Sequence, residues 1–384
     1  SASTAWQLPR ITGENATYND EGTTTTGWTL TAGTLSQPTA STVRLTMTTL
    51  NTQAISQRTI TMPNANKDWL IYGSVRCRAS AGDAGIIQLR GTGNLRANLY
   101  FNFSATSNTS QPGTVSVRYV NSGGTATNGP NITGFSTATT AVNFLLAFNS
   151  SQNSLTVYLR QTDGSWVFGG RCACIYFAGD LVFSINSSTD NAGWIEFDYL
   201  TVCKPNFIAI GDSIIQGSTL FSEELASGLT NYESTLMKHA GIYPSLRNNF
   251  ILNKGVGGES STQINARLSA DVITNTPQLC FLSCSTNDYG LALSYATRNA
   301  NIQSSVSALV AANIKAVLLN SLYGATTAAG NPTARRDYYW NWWQQQLSGI
   351  TGTSARIDIM SRVRDSSGFL NTSYVQGDGI HPNV

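Results

Sequence analysis

Charge is scarce in this chain: charged residues make up 11% of its 384 positions, against roughly 25% in ordinary soluble domains. The formal net charge is +2, and no Lys/Arg stripe or basic run concentrates it. That leaves no electrostatic footprint for nucleic acid or for an anionic membrane. No apolar run approaches the roughly 20 residues that cross a bilayer as a helix. The N-terminus lacks the charged-then-apolar pattern of a secretory signal, and the chain starts at Ser1 rather than Met, so a segment upstream is left open. Histidine is represented by two residues. Any chemistry that needs an imidazole must therefore find it at His239 or His381.

Six cysteines are present: Cys77, Cys172, Cys174, Cys203, Cys280 and Cys284. An even number permits disulfides, but a chain this long does not need them as staples. Cys280 and Cys284, in "QLCFLSCS", read as free thiols of a buried strand. Cys172-Ala-Cys174 has no further Cys or His at ligand spacing, so no metal is expected, and no cofactor. The Asn-x-Ser/Thr sequons, Asn108 and Asn186 among them, are those that a chain rich in Asn, Ser and Thr produces by chance.

The length fits two domains of ordinary size, and the periodicity changes near the middle. From about residue 20 to 203, short alternating runs such as "STVRLTMTTL", "DWLIYGSVRC", "AGIIQLRG", "NLYFNFSA", "GTVSVRYV" and "NFLLAFNS" are separated by turn residues, the pattern of half-buried antiparallel strands. Asp163-Gly164 supplies the positive φ values of a tight hairpin turn. Many short strands with polar turns predict a β-sandwich of jelly-roll type over residues 1–204. "WIEFDYLTV", Trp194 to Val202, reads as the strand that closes it, and Pro205 marks the boundary. Beyond it, "NFIAI", "NFILN", "QLCFLSCS", "IKAVLLNSLYG" and "ARIDIM" are continuous apolar runs, as in parallel strands buried on both faces. Between them lie helical spacings, for example Ile302, Val306, Leu309 and Val310. Residues 205–384 therefore predict a doubly wound α/β domain with a five-stranded parallel sheet. In such a sheet active groups gather at the carboxyl ends of the strands, where "FIAIGDSIIQG" puts Ser213.

A serine hydroxyl attacks only when a base takes its proton and a third group orients that base. His239, in "STLMKHAG", reads as a solvent-facing residue near the end of a helix. His381, in "GDGIHPNV", follows Asp378 by three positions, a spacing at which the carboxylate can hold one ring nitrogen while the other faces outward.

With those residues in view, the C-terminal half resembles the SGNH (GDSL-type) hydrolase family over about residues 206–384. The nucleophile block reads Gly211-Asp212-Ser213, with Gly217 matching a later glycine. "NKGVGGESS" offers Asn253, Gly255 and Gly258 for the second block. "STND" supplies Asn287 and Asp288 for the third, and Asp378, His381 and Pro382 form the last. The resemblance implies a flavodoxin-like SGNH fold and acyl transfer from an ester to water. It implies Ser213 as nucleophile, His381 as base and Asp378 as its orienting acid. The implied oxyanion donors are the Ser213 and Gly258 backbone N–H groups and the Asn287 amide. Asp212 is given no catalytic role. Ser285 stands where the family has glycine, which raises a narrower pocket or an added hydroxyl contact to substrate. The family also continues with a helix after His-Pro, so either further chain or a neighbouring subunit is expected to cover the end at Val384.

A β-sandwich joined to such a hydrolase is similar to carbohydrate esterases and to deacetylases of bacteriophage tail fibres and tailspikes. Two readings stand: an O-acetylesterase acting on a polysaccharide or other short-chain acyl ester, or a receptor-binding or structural virion protein whose hydrolase half is vestigial. The first needs no nucleic acid or membrane partner. Both fit an extracellular or virion-associated location and a homo-oligomer, a trimer if the protein is a fibre. Residues 1–204, which contain no histidine, are expected to add binding or assembly and no catalytic group. "DYYWNWW", Tyr338 to Trp343, offers aromatic faces for sugars or, on a helix, a packing surface against the sheet.

Overall fold

The computed structural model describes residues 16–20, 22–49, 52–62, 68–78, 84–102, 114–132, 141–150, 153–160, 166–186, 193–216, 251–328, 330–374 and 378–381. One compact unit takes in Ser1–Lys204 and another begins at Pro205.

The first unit is built of two antiparallel sheets, one of eight strands and one of seven. The alternating runs become strands Thr42–Thr46, Trp69–Arg78, Ala84–Arg90, Arg96–Asn102, Thr114–Val120 and Val142–Asn149. Ser154–Arg160 pairs with Trp166–Ala173 as the hairpin, whose Asp163-Gly164 turn lies outside the described residues. Two strands carry a proline that masks them in the sequence: Thr34–Thr39 and Ala126–Ile132. Both lie at a sheet edge, where a missing N–H costs no ladder bond. Trp194–Cys203 corrects the expectation of a closing strand, since it sits inside the larger sheet between Trp69–Arg78 and Thr42–Thr46. Hydrogen-bonded on both sides, it is buried along nearly all its length instead of alternating.

Inward-facing residues of both sheets form one apolar core. Trp28, Phe183 and Phe197 meet there with ring centroids 4.7 to 5.4 Å apart, and Phe183 and Phe197 come from opposite sheets. All six cysteines are free and buried. Burial pushes their thiols up, to about 12 for Cys172, Cys203 and Cys284, so they behave as small apolar side chains.

The second unit has a five-stranded parallel sheet of Phe207–Gly211, Ile251–Gly255, Leu279–Ser283, Lys315–Leu319 and Ala355–Ile357. Numbered in chain order, the strands lie 2-1-3-4-5, which places a topological switch at the carboxyl ends of the first and third. The helix Tyr295–Ala311 buries Ile302, Val306 and Leu309 against this sheet. Val310 departs from the expected stripe and is 50% exposed. At about 100° per residue it falls past the edge of a buried face centred on Arg298, Ile302, Ser305 and Leu309.

Because Phe183 seals the two sheets together, Phe183→Ala should lower the unfolding free energy of the sandwich by about 3–5 kcal/mol. Denaturant unfolding followed by tryptophan fluorescence measures this; a loss below about 1 kcal/mol would show that the rings are not the seam of the core.

Candidate active site

Ser213 begins a four-residue helix directly after the first parallel strand. The turn is tight because Gly211 has no side chain: a Cβ there would stand 2.4 Å from Ile215 Cγ1 and 2.6 Å from Ser283 Cβ. Asp212, wholly buried, bonds to two stretches of backbone. One carboxylate oxygen accepts from the Ile214 N–H at 3.0 Å and the other from the Thr286 N–H at 2.5 Å. Burial pushes this carboxyl above its ordinary value, against the opposing pull of the Thr286 and Ile214 N–H groups. Its bonds join the Ser213 turn to the third block, a wider reach than a local turn.

His381 arrives from 168 residues away, its Nε2 2.8 Å from Ser213 Oγ. Its Nδ1 lies 2.5 Å from Asp378 Oδ2. An ionised carboxylate only accepts, so Nδ1 carries the proton and Nε2 turns a lone pair to the serine hydroxyl. Asp378 also accepts from the backbone N–H groups of Ile380 and His381, at 2.9 and 3.0 Å. Partial burial works to raise its carboxyl, but the His381 bond and these N–H groups outweigh it and hold the group below the usual carboxylate value. A depressed folded value means the ion contributes stability at pH above the unfolded value of about 4. That contribution is lost as pH falls through the folded one.

The His381 loop is docked through Gly379. The Ala325 N–H donates to the Gly379 carbonyl at 2.6 Å. Gly379 has φ +72°, and a Cβ there would lie 2.6 Å from Ala328 N. Pro382, Asn383 and Val384 lie outside the described residues, as do His239 and Gly217.

The second block lies beside Ser213: a Cβ built on Gly257 would be 3.9 Å from Ser213 Cβ. Gly258 has φ +79° with open space where its Cβ would be, so conformation and not crowding calls for glycine. Asn253 joins this strand end to the Ser213 helix, donating to Ile215 O at 2.7 Å and accepting from Gly255 N–H at 2.8 Å. In the third block, Asn287 Nδ2 donates to Glu259 O at 2.9 Å. That bond uses one of its two amide hydrogens.

Ser285 corrects the expectation that its hydroxyl reaches substrate. It is fully buried, and its Oγ donates to Glu259 O at 2.8 Å while accepting from Asn287 N–H at 3.1 Å. Its φ of 57° is left-handed, which explains why glycine is at home in this position. Two groups that motif spacing did not reveal hold the site from behind. Arg267 donates to Gly211 O at 2.7 Å and pairs with Glu259 and Asp271, each at 2.6 Å. Arg298, fully buried, pairs with Asp288 at 2.6 Å and donates to Ser285 O and Ser321 Oγ. Its guanidinium lies over Trp342 at 4.3 Å and Tyr339 at 4.9 Å. Those two rings are therefore internal, 1% and 2% exposed, and face a protein cation instead of a sugar. Of these, only the Arg267–Asp271 spacing of four on a helix left a trace in the sequence.

Residues 209–384 match the model of the GDSL-like Lipase/Acylhydrolase family. No curated protein matches the chain. Solved structures similar to it include a GDSL-like lipase of Bacteroides thetaiotaomicron, at 19% identity, covering 46% of this chain and 79% of that one with TM-score 0.34. A catalytic mutant of an acetylxylan esterase of Geobacillus stearothermophilus matches at 19% identity over 46% of this chain and 86% of that one, TM-score 0.36. A bifunctional GH43-CE protein of Bacteroides eggerthii matches at 10% identity over 81% of this chain and 42% of that one, TM-score 0.37.

Gly379→Ala should displace the His381 loop while leaving the parallel sheet intact, and lower kcat/KM for nitrophenyl acetate at least about 100-fold. Steady-state kinetics beside a thermal melt test this. Undiminished turnover would show that the loop is not what places the imidazole.

Proposed function

We propose that the GDSL-like acylhydrolase domain of residues 209–384 is a serine esterase that removes O-acetyl or similarly short acyl groups, with an acetylated polysaccharide as substrate. The observation that carries the reading is the continuous contact from Asp378 through His381 to Ser213 Oγ. In the proposed reaction His381 Nε2 takes the serine proton as Oγ bonds to the ester carbonyl carbon. The resulting oxyanion is met by the Ser213 and Gly258 N–H groups and by the second hydrogen of the Asn287 amide, each worth roughly 3 kcal/mol at that position. Collapse breaks the carbonyl–oxygen bond to the sugar, which leaves as an alcohol carrying the proton from His381. Water, deprotonated by the same nitrogen, then attacks the acyl-enzyme, and acetate and the free serine are released.

A short acyl group is supported by the polarity of the surroundings. Of the large apolar side chains exposed among the described residues, Leu291 alone lies in a loop that carries the site. The sugar substrate, an extracellular or virion-associated location and a homo-oligomer belong to the same reading and rest on the similarity of a β-sandwich joined to such a hydrolase to carbohydrate esterases and bacteriophage tail deacetylases. The vestigial reading has no observation in its favour, because a serine with no reaction to perform has no need of an oriented imidazole.

A fluorophosphonate should label the wild-type chain at Ser213 and leave Ser213→Ala unlabelled and inactive; labelling that persists would remove Ser213 from the mechanism. Nitrophenyl acetate should be cleaved faster than the octanoate. The reverse order would exclude the short-acyl assignment.

A further inference from the structure

The outer face of the seven-stranded sheet carries a cavity of about 500 Å³, lined among others by Tyr100, Asn102, Ser116, Arg118, Asn128 and Asn131. This volume lies within the range of small-ligand pockets. The residues come from three neighbouring strands, Arg96–Asn102, Thr114–Val120 and Ala126–Ile132, whose alternate residues Leu99, Phe101, Val115 and Val117 enter the core. Pairing sets out two rows across them. Tyr100, Ser116 and Asn131 are aligned in one, Asn98, Arg118 and Asn128 in the next.

Arg118 stands out electrostatically. Its Nε is buried with no hydrogen-bond partner among the described residues, and the three strands, RANLYFN, TVSVRYV and ATNGPNI, contain no Asp or Glu. Its cross-strand neighbour Asn98 is otherwise engaged: Asn98 Oδ1 accepts from Gln88 at 2.5 Å, and Asn98 Nδ2 donates to Tyr100 Oη at 2.9 Å. Arg96, which pairs directly across from Arg90, likewise has a buried Nε without a partner among the described residues. Such donors are costly to leave unmade, and a guanidinium fork matches a carboxylate in two parallel bonds. Beside Val117, Gly129 and Pro130, the lining offers an aromatic face with amides and a hydroxyl, which suit a sugar ring and its hydroxyl groups.

We propose that this face binds an acidic glycan, with a sugar carboxylate at Arg118 and a sugar ring against Tyr100. The site belongs to the sandwich and needs none of the catalytic residues, so it holds whether or not Ser213 is the nucleophile.

Binding is therefore measured with the full-length Ser213→Ala chain, by affinity electrophoresis and calorimetry. The acidic probes are polygalacturonate, alginate and hyaluronan, and the neutral ones xylan, galactomannan and dextran. The expected result is retardation by at least one acidic polymer, weakened by added salt, and at least about tenfold weaker binding after Arg118→Gln or Tyr100→Ala. Asn131→Ala, at an exposed edge position, should weaken it too and guards against misfolding of the first two, which near-UV circular dichroism reports. No binding to any acidic polymer, binding untouched by all three substitutions, or equal binding to a neutral polymer would overturn the proposal.

Discussion

The Asp212 carboxyl, wholly buried, is the constraint on which the rest of the site depends. Its two oxygens hold the backbone N–H groups of Ile214 and Thr286, which fixes the end of the first parallel strand against the loop after the third. Taking a charge out of water is unfavourable unless directed donors replace the lost hydration. Here the donors belong to the Ser213 helix and to the loop after the third strand, so the buried carboxyl is satisfied only when both are in place. The Ser213 turn and the third block therefore acquire their positions together.

The same logic continues outward through Glu259. Its carbonyl receives both the Ser285 hydroxyl and the Asn287 amide, and its carboxylate receives Arg267, which also binds Gly211 O. The second and third blocks are in this way tied to the first without any contact through substrate. Ser285 shows the balance of terms. A left-handed φ is unfavourable for a residue with a Cβ by about 1 kcal/mol. Its hydroxyl makes two bonds in the buried interior that a glycine there would lack. Behind it, Arg298 and Asp288 neutralise one another with no solvent access, and the flanking rings of Trp342 and Tyr339 give the guanidinium a face-on environment it tolerates well.

His381 is positioned by different means. It lies at the surface, its side chain 20% exposed and that of Asp378 44%. Its order comes from a short loop in which Asp378 binds the ring and two backbone N–H groups at once. Gly379 lets that loop lie against Ala325 and Ala328. The imidazole is thus held by local bonds and one backbone contact while keeping part of its surface open to solvent.

Much of this was legible in the residues themselves. Period-two alternation marks the sandwich strands because one face of each meets the core, and continuous apolar runs mark the parallel strands because both faces are covered. Four short motif blocks stand at the ends of parallel strands or in the final loop, and their resemblance to the SGNH family singled out Ser213, Gly258, Asn287, Asp378 and His381 as candidates. The proline-bearing edge strands were hidden because their pairing is set by a neighbour and not by their own pattern. What only the tertiary structure decided is how distant residues satisfy one another. Examples are the reach of Asp212 to Thr286, the inward turn of the Ser285 hydroxyl, the enclosure of Trp342 around Arg298, and the buried Arg118 Nε that has no hydrogen-bond partner among the described residues. Each depends on partners tens of residues away or on neighbouring strands, and hydrogen-bond satisfaction in a buried space is a property of that space, which no local spacing encodes.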